Sequence, residues 1–333
     1  MRIKHWCLAL GLYLGAMVPV AADELTGRLF VSNEWDHTVS VIDPETWEVI
    51  KVIDEIGGER PRDMGFSRDG TKLYVALGIS DLIAIIDPYE MELIETIPGG
   101  DDPEAFTVHP ETGHIYVSNE ATAQLMQVDP EAGELKGGID VGLEPEGVVS
   151  TPDGSIIAVV SESSHMVHLI TWPDHDVVAN ILVGTRPREL TVTADGKYLY
   201  VTSEVAGEIN IIDIEARDIV KNHRFSQRRA RPKDVRLNAD ESLVFVSLGR
   251  DNTVAVLDAE TLEEVDLIDV GDRPWGLAMN RDRSLLAVAN GESDDVSIID
   301  TETLEVIKDI PVGDSPWGVI FHDYKIEKEM APR

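Results

Sequence analysis

The fold is decided by one stretch of the chain, residues 61–97, which reads PRDMGFSRDGTKLYVALGISDLIAIIDPYEMELIETI. It contains four short apolar runs, at residues 64–67, 73–77, 82–86 and 93–97. The runs alternate in polarity, contain many β-branched residues and are separated by Asp-Gly and Asp-Pro turns, a pattern typical of antiparallel hairpins. The stretch therefore predicts four consecutive short β-strands.

The same pattern recurs along the whole chain. A proline opens the first run of each unit, and successive prolines are 42 residues apart except for one interval of 45. These prolines are Pro61, Pro103, Pro145, Pro187, Pro232, Pro274 and Pro316. Four strands in each unit of roughly 40–45 residues are typical of a propeller blade. Seven prolines therefore predict an all-β fold, a seven-bladed β-propeller with four antiparallel strands per blade.

The number of strands also predicts how the ring closes. Residues 28–56 supply the second, third and fourth strands of a blade, whereas residues 317–322 supply only a first strand. We expect these two segments to form one blade, because pairing them leaves no open edge in the ring. Residues 23–333 would then be a single domain.

Residues 1–22 are interpreted as a signal peptide. A positively charged start is followed by an apolar run from Trp6 to Val18 and by small residues before Asp23. The mature protein is therefore expected in the periplasm. The only cysteine, Cys7, lies in this leader, so the mature chain would have no disulfide, no thiolate metal site and no cysteine nucleophile.

The charge of the chain excludes some classes of partner. Lys and Arg number 28 against 62 Asp and Glu, a formal net charge of −34. Such a field repels phosphate backbones, so no nucleic-acid partner is expected. No apolar run after the leader is long enough to cross a bilayer, so no membrane insertion is expected either. We expect a monomer without a bound cofactor.

Three segments carry a family resemblance. Residues 73–76 (LYVA), 115–119 (IYVSN) and 199–202 (LYVT) resemble the signature of the YVTN family of β-propeller repeat proteins. The chain is more closely similar to the propellers associated with PQQ-dependent catabolism, on the segments 32–34, 102–106, 144–147, 161–166 and 316–319. This resemblance implies a periplasmic protein that works beside quinoprotein alcohol oxidation, and it carries no catalytic residues with it.

The candidate ligand site is the mouth of the central channel. It is lined by the residue that follows each of the seven prolines: Arg62, Glu104, Glu146, Arg188, Lys233, Trp275 and Trp317. The set differs from blade to blade, and a glycine beside each tryptophan would leave room over the indole for a flat ring or a cation. In the alternative interpretation the cations pair with acids of neighbouring blades and the tryptophans pack over them. Turns between second and third strands add Trp35, His37 and His165.

Two functions follow from these features. The first is a non-catalytic accessory or binding protein whose partner is a small molecule or a periplasmic protein, such as a component of a quinoprotein dehydrogenase system. The absence of nucleophile-elbow, P-loop and zinc-protease motifs favours it. The alternative is a metal-assisted lactonase or lyase, because paired carboxylates bind divalent ions that polarise carbonyl groups. Its metal ligands would come from Asp63, Glu104, Glu146, Glu189 and Asp234.

Overall fold

The computed structural model describes residues 26–323 and residue 325, and within them the chain forms seven four-stranded antiparallel sheets arranged in a ring. The prediction of an all-β, seven-bladed propeller is thereby confirmed. The predicted signal peptide, residues 1–22, lies outside the described residues. No helix among the described residues is long and apolar enough to span a membrane.

Twenty-eight strands build the ring in the described part of the chain. The first strands of the blades are β4 (Pro61–Phe66), β8 (Pro103–Val108), β12 (Pro145–Ser150), β16 (Pro187–Val192), β20 (Pro232–Leu237), β24 (Pro274–Met279) and β28 (Pro316–Phe321). The second strands are β1 (Leu29–Asn33), β5 (Leu73–Leu77), β9 (Ile115–Asn119), β13 (Ile156–Ser161), β17 (Tyr198–Ser203), β21 (Leu243–Leu248) and β25 (Leu285–Asn290).

The outer half of each blade completes the set. The third strands are β2 (Thr38–Asp43), β6 (Leu82–Asp87), β10 (Gln124–Asp129), β14 (Met166–Thr171), β18 (Glu208–Asp213), β22 (Thr253–Asp258) and β26 (Asp295–Asp300). The fourth strands are β3 (Glu48–Ile53), β7 (Glu92–Pro98), β11 (Glu134–Asp140), β15 (Val177–Leu182), β19 (Asp218–Arg224), β23 (Glu264–Asp269) and β27 (Glu305–Pro311). Short 3₁₀ turns follow β5 at Gly78–Ser80 and β9 at Glu120–Thr122.

Blade 1 closes the ring as the strand count predicted. Its strand order is β28-β1-β2-β3, so the last strand of the chain pairs antiparallel with the first, for example at Val31 opposite Val319. Blades 2 to 7 follow in chain order, from β4–β7 to β24–β27. The first strand of each blade contacts the first strands of both neighbours, as β28 contacts β24 and β4. These seven strands therefore surround the central channel.

The core lies between the blades. The second and third strands are buried on both faces, and clusters of apolar side chains join each blade to the next, such as Phe30 of blade 1 with Phe66 and Leu73 of blade 2. The seven prolines each begin a first strand, where the missing N–H costs no ladder hydrogen bond. The core thus holds the channel-facing ends of the first strands in place, and the candidate site is built on those ends.

Candidate functional site

The channel mouth is a buried ring of charged side chains. Arg62, Glu104, Glu146, Arg188 and Lys233 are each exposed by 5 % or less. Burying a charge is costly unless it is paired, so such a ring requires partners for every member. Trp317 is also buried, whereas Trp275 is partly exposed.

Each cation of this ring has an acidic partner on a neighbouring blade. Arg62 Nη1 lies 2.8 Å from Glu104 Oε2, and Arg188 Nη1 lies 2.8 Å from Glu146 Oε1. Lys233 Nζ lies 3.7 Å from a carboxylate oxygen of Glu189. The pairing that the alternative interpretation proposed is therefore present, and ligand binding by these residues stays a prediction.

Sequence reasoning missed a second ring of acids. A glutamate follows the second strand directly in four blades: Glu34, Glu120, Glu162 and Glu204. Their recurrence at one position of the repeat was a signal that could have found them. Glu34 accepts from Arg60 Nε at 3.0 Å and also lies 3.3 Å from Arg62 Nε, while Glu162 contacts both Arg186 and Arg188.

Arginines before the prolines were missed as well. Arg60 and Arg186 stand one residue before Pro61 and Pro187, with φ of 61° and 63°. The residue before the proline has a positive φ in all seven blades, so this conformation is a feature of the turn and not of one site. It places the arginine side chains beside the acids of the mouth.

Three carboxylates of blade 3 form the acidic cluster of the mouth: Asp102, Glu104 and Glu120. One oxygen from each lies within 4.8 Å of the others. The antiparallel pairing of Pro103 with Asn119 puts them at the same end of the blade. Arg60 reaches across from blade 2, with Nη1 3.4 Å from Asp102 Oδ1 and Nη2 3.9 Å from Glu104 Oε1.

Burial and mutual repulsion shift the protonation of this cluster. Burial raises the pKa of Glu104 well above its usual range, and the neighbouring Glu146 and Glu120 raise it further. Burial also raises the pKa of Glu120 and of Asp102. The interaction between the two glutamates raises the pKa of Glu104 further and lowers that of Glu120. Protonation of these carboxyl groups is therefore easier than for ordinary surface acids.

The other carboxylates considered for a metal do not join this cluster. Asp63 accepts hydrogen bonds from the backbone N–H of Met64 at 2.8 Å and of Phe106 at 3.1 Å. Asp234 accepts in the same way from Val235 at 2.6 Å and from Leu277 at 2.8 Å.

Each of these aspartates thus ties a first strand to the first strand of the next blade. Glu189 sits at the corresponding position, beside Lys233. Glu146 pairs with Arg188. Of the five carboxylates proposed from the sequence, only Glu104 is grouped with further potential metal ligands within residues 26–323 and 325.

A cleft of about 600 Å³ opens beside the two tryptophans, and we call it the tryptophan cleft. Its wall includes Trp35, Trp275, Trp317, Arg273 and four acids, Glu34, Glu292, Asp294 and Asp314. Among the described residues neither indole N–H of Trp275 and Trp317 has a hydrogen-bond partner. Both N–H groups are themselves buried, and a polar ligand group that reached them would satisfy a donor.

Cations of the protein itself stack on the indoles. Lys233 Nζ lies 4.7 Å from the ring centroid of Trp317, and the Arg273 guanidinium lies 4.3 Å from that of Trp275. One of the neighbouring glycines has a further purpose. A Cβ at Gly276 would lie 2.5 Å from the carbonyl oxygen of Trp317. This glycine therefore permits adjacent first strands to approach, and room for a ligand over the indole stays a prediction.

The two histidines of the candidate set contact backbone groups. His37 Nδ1 accepts from the N–H of Arg60 at 3.1 Å. His165 Nδ1 lies 2.7 Å from the carbonyl oxygen of Glu162, to which it donates in one tautomer, and 3.3 Å from the N–H of Arg186, from which it accepts in the other. Each connects its turn to the start of the next blade. Trp35 differs from both, because 56 % of it is exposed at the wall of the tryptophan cleft.

Solved structures of similar fold include three bacterial propellers. A functionally unknown protein from Desulfotomaculum acetoxidans superposes with a TM-score of 0.77 at 16 % identity, over 89 % of this chain and 98 % of that one. A candidate 6-phosphogluconolactonase from Bacteroides uniformis gives 0.74 at 19 %, over 90 % and 99 %. The periplasmic gluconolactonase of Pseudomonas aeruginosa gives 0.71 at 19 %, over 89 % and 98 %. At such identities the likeness shows the fold alone.

Sequence comparison is more decisive about family. No curated protein sequence matches the chain. A family model described as YNCE-like beta-propeller matches residues 10–326, nearly the whole length. The chain belongs to the YNCE-like β-propeller family.

Proposed function

We propose that this protein hydrolyses a small lactone at the channel mouth. The observation that carries the proposal is the acidic cluster of Asp102, Glu104 and Glu120 beside the Arg60 guanidinium. The class of substrate is suggested by the lactonase names of two of the similar structures. Of the two functions that the sequence favoured, these neighbours fit the lactonase better than the accessory protein.

The residues of the cluster supply the chemistry of hydrolysis. Glu120 is the more accessible of the two glutamates, and its raised pKa makes it a stronger base than an ordinary glutamate. It takes the proton of the water whose oxygen attacks the lactone carbonyl carbon. Arg60 stabilises the oxyanion that forms. The ring C–O bond then breaks, and the proton held by Glu120 passes to the departing oxygen, leaving a hydroxy acid.

The same carboxylates fit a hard divalent cation. All potential ligands are oxygens, which Ca²⁺ and Mg²⁺ prefer. A cation would favour the charged form of these three carboxyl groups, whose pKa values are raised first by burial and then by neighbouring acids. A bound ion would act as a Lewis acid on the lactone carbonyl. Arg60 and Arg62 already supply positive charge beside two of the carboxylates. The hydrolysis described above therefore does not require a metal.

The test is hydrolysis of D-glucono-1,5-lactone by the mature protein, followed in a pH-stat near pH 6, where spontaneous opening is slow. We expect catalysis above the spontaneous rate, and a loss of about 10²–10⁴-fold in Glu120→Gln because the base is removed. Glu302→Gln, an exposed glutamate of the turn between β26 and β27 on the opposite face, is the matched control and keeps the parent rate.

The assay is repeated after EDTA treatment and after Ca²⁺, Mg²⁺ or Mn²⁺ is added back. Activity that EDTA removes and a cation restores indicates a metal-assisted reaction, and activity that EDTA leaves unchanged indicates a metal-free one. A panel of γ- and δ-lactones opened no faster than in buffer would refute the proposed function. Full activity in Glu120→Gln would refute the role given to that residue.

The accessory role in PQQ-dependent alcohol oxidation is the competing hypothesis, and it rests on the sequence resemblance alone. It is favoured if no lactone is hydrolysed and the protein instead associates with a purified quinoprotein dehydrogenase. We also propose that the leader exports the protein to the periplasm. Export matters for both functions, since it decides which substrates and partners the channel mouth meets.

A further inference from the structure

We infer that the tryptophan cleft selects an uncharged, polyhydroxylated lactone and rejects its phosphate ester. This inference rests on the proposed function and names its substrate class. The cleft and the acidic cluster share a wall: Glu34 lines the cleft, and its carboxylate contacts Arg60, which contacts Asp102 and Glu104. Our inference places a lactone ring at the cluster with its substituents towards the cleft.

The charges of the cleft disfavour an anion. Four carboxylates line it, against the single guanidinium of Arg273. That guanidinium is already engaged, because it lies over the Trp275 ring and its Nη1 is 3.6 Å from Glu292 Oε1. No cation that lines the cleft is thus free for a phosphate, and a dianion would meet like charges at short range.

The cations that lie just behind the tryptophans are also neutralised. Arg62 pairs with Glu34 and Glu104, and Lys233 lies beside Glu189. Both stand over the Trp317 ring, at 5.4 and 4.7 Å from its centroid. A phosphate that drew either of them away would leave a buried carboxylate without its partner, which is costly.

The polar groups that remain suit hydroxyl and ether oxygens. Trp317 is 95 % buried at the cleft wall, and its indole N–H has no partner among the described residues, so a neutral acceptor that reached it would satisfy a buried donor. Asp294 Oδ1 accepts from the Ser315 N–H at 3.0 Å, and its Oδ2 is a second acceptor that sugar hydroxyls could use. The exposed Trp35 ring offers an apolar face for the C–H face of a sugar ring.

The experiment measures binding, and is therefore independent of turnover. Titration calorimetry compares D-glucono-1,5-lactam, a non-hydrolysable analogue, with its 6-phosphate. We expect saturable binding of the lactam and binding at least ~100-fold weaker for the phosphate, since like charges in an interface cost several kcal/mol. The double variant Asp294→Asn, Asp314→Asn lowers the ratio between the dissociation constants of the phosphate and the lactam about tenfold. Its amide oxygens remain hydrogen-bond acceptors. The matched control, Glu302→Gln with Glu305→Gln on the opposite face, removes the same charge and leaves the ratio unchanged.

The outcomes separate the two proposals. Selective lactam binding without lactone hydrolysis refutes the proposed function and supports the assignment of the cleft. Equal or tighter binding of the 6-phosphate, or no binding of either analogue, overturns the assignment of the cleft even if some other lactone is hydrolysed.

Discussion

Removing the last strand of the ring is the most direct test of its closure. A chain that ends at Asp314 lacks β28, the only first strand available to blade 1. Trp317, Val319 and Phe321 are exposed by 5 %, 9 % and 2 % in the intact ring. Each large apolar side chain is worth about 1.5–3 kcal/mol when buried, so the three together contribute roughly 5–9 kcal/mol.

That loss is comparable with the whole stability of an ordinary domain, about 5–15 kcal/mol. The deletion also exposes the edge of β1. It removes the strand that lies between β24 of blade 7 and β4 of blade 2 and contacts both. We therefore expect the truncated chain to lose its cooperative thermal transition, as followed by circular dichroism and calorimetry. A chain that ends at Lys325 is the control and melts with the full protein.

A milder variant and a rescue make the test quantitative. Phe321→Ala removes one fully buried ring, costs about 3–5 kcal/mol and lowers Tm by on the order of 5–10 °C. A synthetic peptide of residues 314–323, added to the truncated chain, should restore the transition by occupying the place of β28. The reasoning is refuted if the chain ending at Asp314 melts within a few degrees of the intact protein.

Two further predictions concern pH and export. Burial raises the pKa of Asp63 to about 6, so the folded state keeps a proton that the unfolded chain loses above about pH 4. The protonated Asp63 carboxyl group therefore contributes about 2–3 kcal/mol to the free energy of unfolding below pH 4, and this contribution is lost as the pH rises to about 6. In urea unfolding, the free energy of unfolding should change less between pH 4.5 and 6.5 for Asp63→Asn than for the parent. An identical change contradicts the raised pKa of Asp63. The intact mass of the exported protein should correspond to a chain that begins near Asp23, and a retained Met1 would contradict the signal peptide.

The architecture could be predicted because its evidence is local. The conformation of a proline, a turn or an alternating run of residues depends on only a few neighbouring positions. In a repeat protein the same pattern occurs in every unit, here seven times. Closure followed from counting strands, since residues 28–56 lack a first strand and residues 317–322 are one. The buried positions of Met64 and Phe66 followed from strand alternation in the same way.

The candidate site could be predicted only in part. The residue after each proline lies at the start of a first strand, as expected, because its position in the repeat determines which end of the strand it occupies. The glutamates after the second strands recur at one position of the repeat in four blades. The register of the hairpin, which pairs Pro103 with Asn119, predicts that Glu120 lies near Glu104. Sequence reasoning examined one strand position at a time and so left that pair apart.

The sequence by itself determined the strands, the number of blades and the closure of the ring. Only the tertiary structure decided which charges meet. Arg60 of blade 2 reaches Asp102 of blade 3, and Lys233 of blade 6 reaches past blade 7 to the Trp317 ring of blade 1. Such contacts depend on the angle between blades and on the length and rotamer of each side chain, quantities that a residue's neighbours in sequence do not constrain. The pKa of Glu104 is decided at the same level, since burial and the charges of other blades exist only once the ring has closed.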